Sequence, residues 1–464
     1  MPFLIQRSVR LCHGALSSSV AHHVSTLTRH HQPIQMFPPN NPLSAVRRNN
    51  IIAAQCNYKH FSDRRCIIKS KNDSDDDEPE YLEIVTQTAD RMRLAVRNYV
   101  DEHARSFHCN QSTNEINDED EVKTSSKPPQ IKLVGILATS NTHPISHEDC
   151  NSSSSSDDDD SHGNEMYSEQ IANICSVDGI AYEPWRVPPT RESIERAIQH
   201  ANDRLDVAGI LVFYPIENLD CGNNDKGGKG SARGPYKCQS TGVYYKSMDD
   251  YFRDMVSPEK DVEGYRRKGL RMRKPEDGHD NDAVFTAPED LGPIYPCTAL
   301  AVFRILESFQ LSLNTQTESP ERLFEGKSMT IINRSEVLGL PLATMLSNQG
   351  ATVYSIDINS ILQFMPEGDV RIRREHATKT MEQCVRESSV VITGVPSHSF
   401  RVPTAWISEN ATLINVATES NFEEEEVAEL PGVTYVPHVG RVTVAALEYN
   451  LCLLHQNYHR DKTK

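Results

Sequence analysis

The sequence contains no uninterrupted apolar run approaching the roughly 18 residues that a membrane-crossing helix requires, so a helical span is not expected to organise this chain. Its 11 cysteines form no Cys-x-x-Cys pair and no Cys/His group at zinc-site spacing. A disulfide framework, a structural zinc and any other metal centre are therefore not expected, and a reducing compartment fits. No basic stripe interleaved with aromatics is present, which removes nucleic acid as an expected partner. The first 62 residues contain no Asp or Glu at all, yet they carry Arg7, Arg10, Arg29, Arg47, Arg48 and Lys59 among many Ser and His. That is the composition of a targeting segment rather than of a domain. Residues 1–79 are accordingly expected to be a targeting segment and disordered linker, with a mitochondrial address favoured over a plastid or cytosolic location.

What is present is enough chain for two folded domains plus tails, at 464 residues. Much of the net charge of −17 sits in short runs, at Asp73 with residues 75–78, at 157–160 and at 423–426, which read as solvated loop or tail. Folding is expected to begin at residues 81–105, where Leu82, Val85, Ala89, Met92, Val96 and Tyr99 recur at three- and four-residue steps, the period of an amphipathic helix. Strands are expected at 131–137, 180–185 and 208–214, with a helix over 166–177 and Thr190 as the N-cap of another. Polar, low-complexity insertions near 142–164, 216–241 and 266–293 interrupt this first unit, which runs over residues 80–294. After it the pattern becomes a quick alternation. Helices at 298–309, 340–349 and 442–454 alternate with strands at 329–332, 352–356, 389–392, 412–416 and 434–436, the rhythm of a parallel α/β sheet over residues 295–464.

One stretch of this second unit carries chemistry. A strand ending at Ile332 runs into Asn333-Arg334-Ser335, and Gly339 then opens a helix with Pro341 in its first turn. Backbone N–H groups and a helix N-terminus meet at that point, which suits a diphosphate although the turn is not the standard G-x-G-x-x-G. Asp357 ends the next strand, about 20 residues on, where dinucleotide folds place a carboxylate for the ribose hydroxyls. A carboxylate there repels a 2′-phosphate and so favours NAD over NADP, while Arg334 is the opposing signal, since a guanidinium pairs with such a phosphate.

These residues, together with Ala208-Gly209-Ile210-Leu211-Val212, Lys260-Asp261-Val262-Glu263-Gly264, Pro296-Cys297-Thr298, Val391-Ile392-Thr393-Gly394-Val395-Pro396 and Val436-Pro437-His438-Val439-Gly440-Arg441-Val442-Thr443, give the chain its resemblance to the methylenetetrahydrofolate dehydrogenase/cyclohydrolase family. Within it the chain is most similar to the fungal-type, NAD-dependent branch, through the Asn-Arg-Ser turn and the strand end from Tyr354 to Asp357. The resemblance implies a two-domain α/β fold, with a folate-binding N-terminal domain, a Rossmann-type NAD domain and the active site in the cleft between them. It implies a homodimer and a dehydrogenase of one-carbon metabolism that oxidises a folate-bound methylene group. Carried over residue by residue, Tyr167 is the tyrosine that stacks on the pterin, and Glu263 is the carboxylate that accepts its amino and ring N–H groups. Asp261 and Phe213 join the substrate set, Asp261 in a structural part and Phe213 in place of a family glutamine. Asn333, Arg334, Ser335, Gly339, Asp357, Gly394, Pro396, Thr418, Gly440 and Thr443 are the implied NAD contacts, though His438, Arg441 and Val442 depart from the family pattern beside the last two.

The lysine that bifunctional members carry four residues after the stacking tyrosine is here Ile171. With Phe213 this removes both polar groups that handle water, so dehydrogenase without cyclohydrolase activity is expected. The alternatives are a catalytically silent regulator that binds folate and NAD, and a Rossmann dehydrogenase for another small acid. The basic run Arg266, Arg267, Lys268, Arg271, Arg273 and Lys274 is a candidate for drawing in a polyglutamate tail, against the plainer reading of a solvated linker.

Overall fold

The computed structural model describes residues 80–114, 130–139, 159–214, 216, 219, 236–238, 240–265, 294–313, 322–367 and 371–460, all within one compact unit. The expected targeting segment, the basic run at 266–274 and most of the three insertions lie outside these residues. Among the described residues no helix is long and apolar enough to cross a membrane, and no group of three His, Cys, Asp or Glu side chains is placed to hold a metal.

Helix α1 (Glu80–Asn114) forms where its apolar stripe was legible, and Val85, Ala89, Met92, Val96 and Tyr99 are all buried. The first sheet is parallel and three-stranded, in the order β2 (Ala181–Val187), β1 (Lys132–Ala138), β3 (Gly209–Val212). Helix α2 (Asp159–Asp178) begins inside the first expected insertion, and α3 (Arg191–Asp203) starts at Thr190, whose side chain accepts the Ser193 N–H at 3.3 Å. A small hairpin of β4 (Tyr236–Lys237) and β5 (Tyr244–Tyr245) follows, its first strand falling at the end of the second expected insertion. It leads to α4 (Met248–Met255), capped by Ser247, which accepts the Asp250 N–H at 3.2 Å.

Helix α5 (Cys297–Leu313) opens the second half, and β6 (Ser328–Ile332), α6 (Gly339–Asn348) and β7 (Thr352–Asp357) follow it. Then come β8 (Ser360–Glu367), β9 (Arg371–His376), α7 (Met381–Arg386), β10 (Val390–Thr393), β11 (Thr412–Asn415), α8 (Glu424–Ala428), β12 (Thr434–Val436) and α9 (Gly440–Leu454). The sheet order is β12-β11-β10-β6-β7-β8-β9. The stretch from β12 to β7 is parallel throughout, as expected, but β8 and β9 add an antiparallel edge. That edge escapes a pattern reading because β8, with the sequence SILQFMPE, is half-buried along most of its length and shows no apolar-polar alternation. Strand order reverses at the junction of β6 and β10, since the chain goes from β6 out to β7 and later returns to β10 on the other side. Ligands of such sheets bind at the carboxyl ends of the strands at this reversal.

The cores explain how the two sheets are joined. One apolar cluster packs β1 and β3 on one side of β2–α3–α4 material, and another fills the far face of the large sheet. The largest runs through both halves and is built mainly from α1, α5, α9 and the inner faces of the sheets. Helix α9, last in sequence, is buried along nearly its whole length and packs on α1 and α5. Helices α5 and α9 thus belong to the cluster that both sheets share. Polar groups are carried inside with partners: Arg93 meets Asp178 at 2.6 Å and Arg97 meets it at 2.8 Å, beside the fully buried Glu448. Burial, and then the charge of Asp178, push the Glu448 carboxyl well above the usual carboxylate range.

Candidate active site

The turn of residues 260–264, between α4 and α5, is fixed from several directions. Lys260 is buried, and its Nζ donates to the carbonyls of Ala201, Asn202 and Arg204 at 3.0, 2.8 and 2.6 Å. Its charge thereby satisfies the open carbonyls at the C-terminal end of α3. Asp261 is buried and accepts the Gly264 N–H at 2.9 Å, so its place is that of a turn cap. Gly264 has φ +68° and its Cα faces the Tyr295–Pro296 backbone, where a Cβ would stand 3.0 Å from the Tyr295 carbonyl carbon. From α9, Asn450 Nδ2 donates to the Val262 and Tyr295 carbonyls, both at 2.9 Å, and the Cys297 thiol donates to the Val262 carbonyl at 3.2 Å.

What this scaffolding presents is Glu263. Part of its surface remains open, but protein surrounds its carboxyl. Burial first, and then the charge of Asp261, push it up to about 8, against the opposing pull of Arg253 and a backbone hydrogen bond from Val212. Tyr167 on α2 lies within electrostatic reach of Glu263 and Cys297, and burial holds its hydroxyl protonated. Its ring meets Phe213 edge to face, with centroids 6.0 Å apart. Phe213, at the end of β3, is buried, and Ile171, one helical turn beyond Tyr167, is 0% exposed and belongs to the core. Tyr167, Phe213 and Glu263 are thus brought together, while Asp261 turns to its own backbone.

The other group of expected residues gathers at the strand-order reversal. Asn333 follows β6 with φ +104°, a conformation a non-glycine residue rarely holds, and its Nδ2 donates to the Gly394 carbonyl at the end of β10. Gly339 is required at the start of α6, since a Cβ there would stand 2.0 Å from the Asn333 carbonyl oxygen. No side chain caps α6 or α9, so both present first-turn N–H groups without a side-chain acceptor. Gly440, first in α9, is exposed, with no atom within 4 Å of where a Cβ would sit. Thr443 Oγ1 donates back to the Val439 carbonyl at 3.1 Å, and Arg441 reaches Thr86 of α1 at 3.3 Å. Asp357 is exposed at the end of β7 and accepts the Ile358 N–H at 2.9 Å. Ser335 shapes the turn through its carbonyl, which accepts the Leu340 N–H at 3.0 Å. Uncapped helix ends, close backbone approach and an exposed carboxylate one strand away fit an adenine dinucleotide.

Arg334 is committed elsewhere. Its guanidinium donates to the hydroxyls of Ser355 and Ser360 at 3.1 and 2.9 Å and to their carbonyls at 2.5 and 2.8 Å. It ties the β7–β8 corner together, which takes away the opposing signal for a 2′-phosphate.

Several working residues were not legible in sequence. Asn421 holds the Gly394–Pro396 turn, accepting the Val395 N–H at 2.9 Å and donating to its carbonyl at 3.1 Å, and leaves Pro396 exposed. Asn415 donates to the carbonyls of Ala417 and Glu419 at 2.9 and 3.2 Å, which shapes the loop that exposes Thr418. Arg253, Tyr214 and Tyr265 enclose Glu263 from α4 and the neighbouring loops. A buried Asn at the end of a strand, Asn415 of β11, was the only local hint, and nothing local marks Arg253. Lys246, in the first half, meets Glu336 of the α6 turn at 2.6 Å across the surface between the two groups.

Comparison with known proteins agrees with this geometry. The NAD(P)-binding domain of tetrahydrofolate dehydrogenase/cyclohydrolase matches residues 296–459. Over 362 residues the chain is 32% identical to the methylenetetrahydrofolate dehydrogenase [NAD(+)] of Saccharomyces cerevisiae, covering 76% of this chain and 95% of that protein. The Dictyostelium discoideum protein of the same description is 33% identical over 301 residues, covering 64% of this chain and 83% of its own. The solved structure of the NAD-dependent 5,10-methylenetetrahydrofolate dehydrogenase from Saccharomyces cerevisiae superposes with a TM-score of 0.54 at 27% identity, covering 82% of this chain and 98% of that one. With such identity along nearly the full length of a relative, the chain belongs to the methylenetetrahydrofolate dehydrogenase family.

Proposed function

We propose that this chain oxidises 5,10-methylenetetrahydrofolate to 5,10-methenyltetrahydrofolate with NAD and does not hydrolyse the product. The observation that carries the reading is the double duty of α9. Asn450 pins the turn that presents Glu263, while Gly440, ten residues earlier and about 15 Å along the helix, opens on to the cofactor end. One rigid element thus sets the spacing of substrate and cofactor, which is what hydride transfer demands.

In this site Glu263 accepts the amino and ring N–H donors of the pterin, and Tyr167, braced edge-on by Phe213, stacks on its face. When bound, NAD supplies the ring carbon that accepts the hydride. The lone pair of the adjacent folate nitrogen forms the new C=N bond as the methylene C–H electron pair departs, so no proton leaves and no general base is needed. The site offers none at that point, with the Tyr167 hydroxyl kept protonated by burial. Hydrolysis of the methenyl product differs, because water must be deprotonated and oriented. Ile171 lies in the core and Phe213 is apolar, so neither helps. Asp357 favours NAD by its charge where a 2′-phosphate would lie.

The decisive experiment follows NADH absorbance with purified full-length protein, methylenetetrahydrofolate and NAD. Enzyme-dependent NADH formation supports the reading, and its absence with both ligands bound would make the chain a silent binder. We further propose import into mitochondria, supported by the acid-free N-terminus, a homodimer, and attraction of polyglutamylated folate by the basic run at 266–274. A fluorescent fusion of residues 1–75 tests the first, sedimentation the second, and the salt dependence of KM for polyglutamylated substrate the third.

A further inference from the structure

Beside Glu263 lies a cation that the scheme above leaves unused. Arg253, in the last turn of α4, places its guanidinium carbon 4.4 Å from the centre of the Tyr214 ring and 5.4 Å from that of Tyr265. Tyr214 directly follows Phe213, and Tyr265 comes two residues after Glu263. The guanidinium is therefore wedged between the two segments that carry the substrate end. Its Nη1 donates to Asp250 at 3.1 Å, but its Nε is buried with no hydrogen-bond partner, and so is the hydroxyl of Tyr214. Two buried donors left unpaired in one place destabilise the protein unless something completes them. The groups facing Glu263 account for what that something is. Asp261 lies on its own turn, Arg253 on α4, Tyr214 after β3, Tyr265 two residues beyond Glu263, Tyr167 on α2 and Cys297 on α5. Arg253 is the cation among them, and a carboxylate supplies acceptors only.

A pterin presents along one edge an amino group, a ring N–H and a carbonyl, which is two donors followed by an acceptor. Glu263 answers the first two and leaves the carbonyl in need of a donor beside it. We propose that Arg253 Nε and the Tyr214 hydroxyl are that donor pair, which makes Arg253 and Tyr214 specificity determinants that select a 4-oxo over a 4-amino ring. The proposal rests on the folate reading of the site. It also assigns a purpose to the stacking: Tyr214 and Tyr265 fix the guanidinium plane, so its free N–H keeps one direction.

The test uses the full-length protein with NAD and two probes, tetrahydrofolate and its counterpart with the 4-oxo group replaced by an amino group, with binding measured by calorimetry. The unaltered protein should prefer the 4-oxo ring by about tenfold or more, because the 4-amino ring sets donor against donor. Tyr214→Phe, which removes one oxygen and keeps the ring, should narrow that ratio severalfold. Arg253→Gln, whose amide both donates and accepts, should bring it close to one, and Arg253→Lys should restore part of it. NAD affinity should stay unchanged in all three. A ratio unaltered in both Tyr214→Phe and Arg253→Gln, with tetrahydrofolate still bound, overturns the proposal alone. Failure of the unaltered protein to bind either ring overturns the folate reading beneath it.

Discussion

At the end proposed to take the substrate, the chemistry sits on side chains taken out of water. Glu263 is pushed up to about 8, Tyr167 and Cys297 are held protonated, and Lys260 and Arg253 are enclosed among carbonyls and rings. At the cofactor end the work falls to backbone, through Asn333 at positive φ, Gly339 against a carbonyl, and two uncapped helix starts, with Asp357, Pro396, Thr418 and Gly440 all exposed. The difference follows from the ligands. A heterocycle with a fixed donor and acceptor edge needs directed, desolvated partners, whereas a flexible diphosphate needs N–H groups at close approach. Substitutions should therefore act through protonation at one end and through shape at the other.

The largest effect is expected where the substrate end borders the core. Ile171→Lys places an ammonium group at a position that is 0% exposed, among apolar neighbours. A loss of about 4 kcal/mol or more of stability is expected in a denaturant titration, with no cyclohydrolase activity gained. A variant as stable as its parent would mean that α2 turns this position to the cleft.

At the cofactor end, Gly339→Val should lower NAD affinity about a hundredfold, the equivalent of roughly 3 kcal/mol of misfit, while leaving tetrahydrofolate affinity alone. Equal losses for both ligands would erase the contrast between the ends.

Glu263→Gln sharpens the contrast through pH. In the parent, kcat/KM should rise with pH through about 8 as the carboxylate forms, and this rise should vanish in the variant with a fall of about a hundredfold at high pH. Stability runs the other way. A carboxyl raised in the folded state contributes stability that is fully present below its ordinary value and gone once pH passes about 8. Unfolding midpoints of the parent should therefore decline over that interval more than those of the variant.

A smaller change is expected from Asp357→Ser, which should narrow the preference for NAD over NADP about tenfold, as read by the ratio of kcat/KM values. It should not abolish the preference, because Arg334 is held by Ser355 and Ser360 and is not free to meet a 2′-phosphate. Smallest of all, Lys246→Met removes an exposed pair with Glu336 and should cost under about 1 kcal/mol.

The same contrast separates what the sequence made legible from what it did not. Thr190 as a cap, the α1 stripe, the short buried strands and the turn from Asn333 to Gly339 were all readable, because each is a local pattern within a few residues. The Asn333–Gly339 turn is local backbone, whereas Asn415 and Asn421, which hold the Thr418 and Gly394–Pro396 loops, act across longer stretches and gave no such pattern. The antiparallel β8–β9 edge was not readable either, since the β8 sequence SILQFMPE lacks the apolar-polar alternation that marks a one-sided strand. Nor was the place of α9, whose burial against α1 links residues more than 300 positions apart, as Tyr99 to His455, just past the end of α9, at 2.9 Å illustrates. Arg253 and Lys260 escaped for the same reason, because a basic residue in a polar stretch looks solvated until its distant partners, here Tyr214 and the α3 carbonyls, close over it.

The measurement that bears most directly on the account is the fate of the one-carbon unit. Methylenetetrahydrofolate and NAD are incubated with the enzyme, and NADH, methenyltetrahydrofolate and 10-formyltetrahydrofolate are quantified over time by absorbance and chromatography. Methenyltetrahydrofolate should appear in step with NADH, decaying only at the rate of the buffer alone. Enzyme-dependent 10-formyltetrahydrofolate well above that rate would contradict it, by showing that a polar group does the work that Ile171 and Phe213 are here held unable to do.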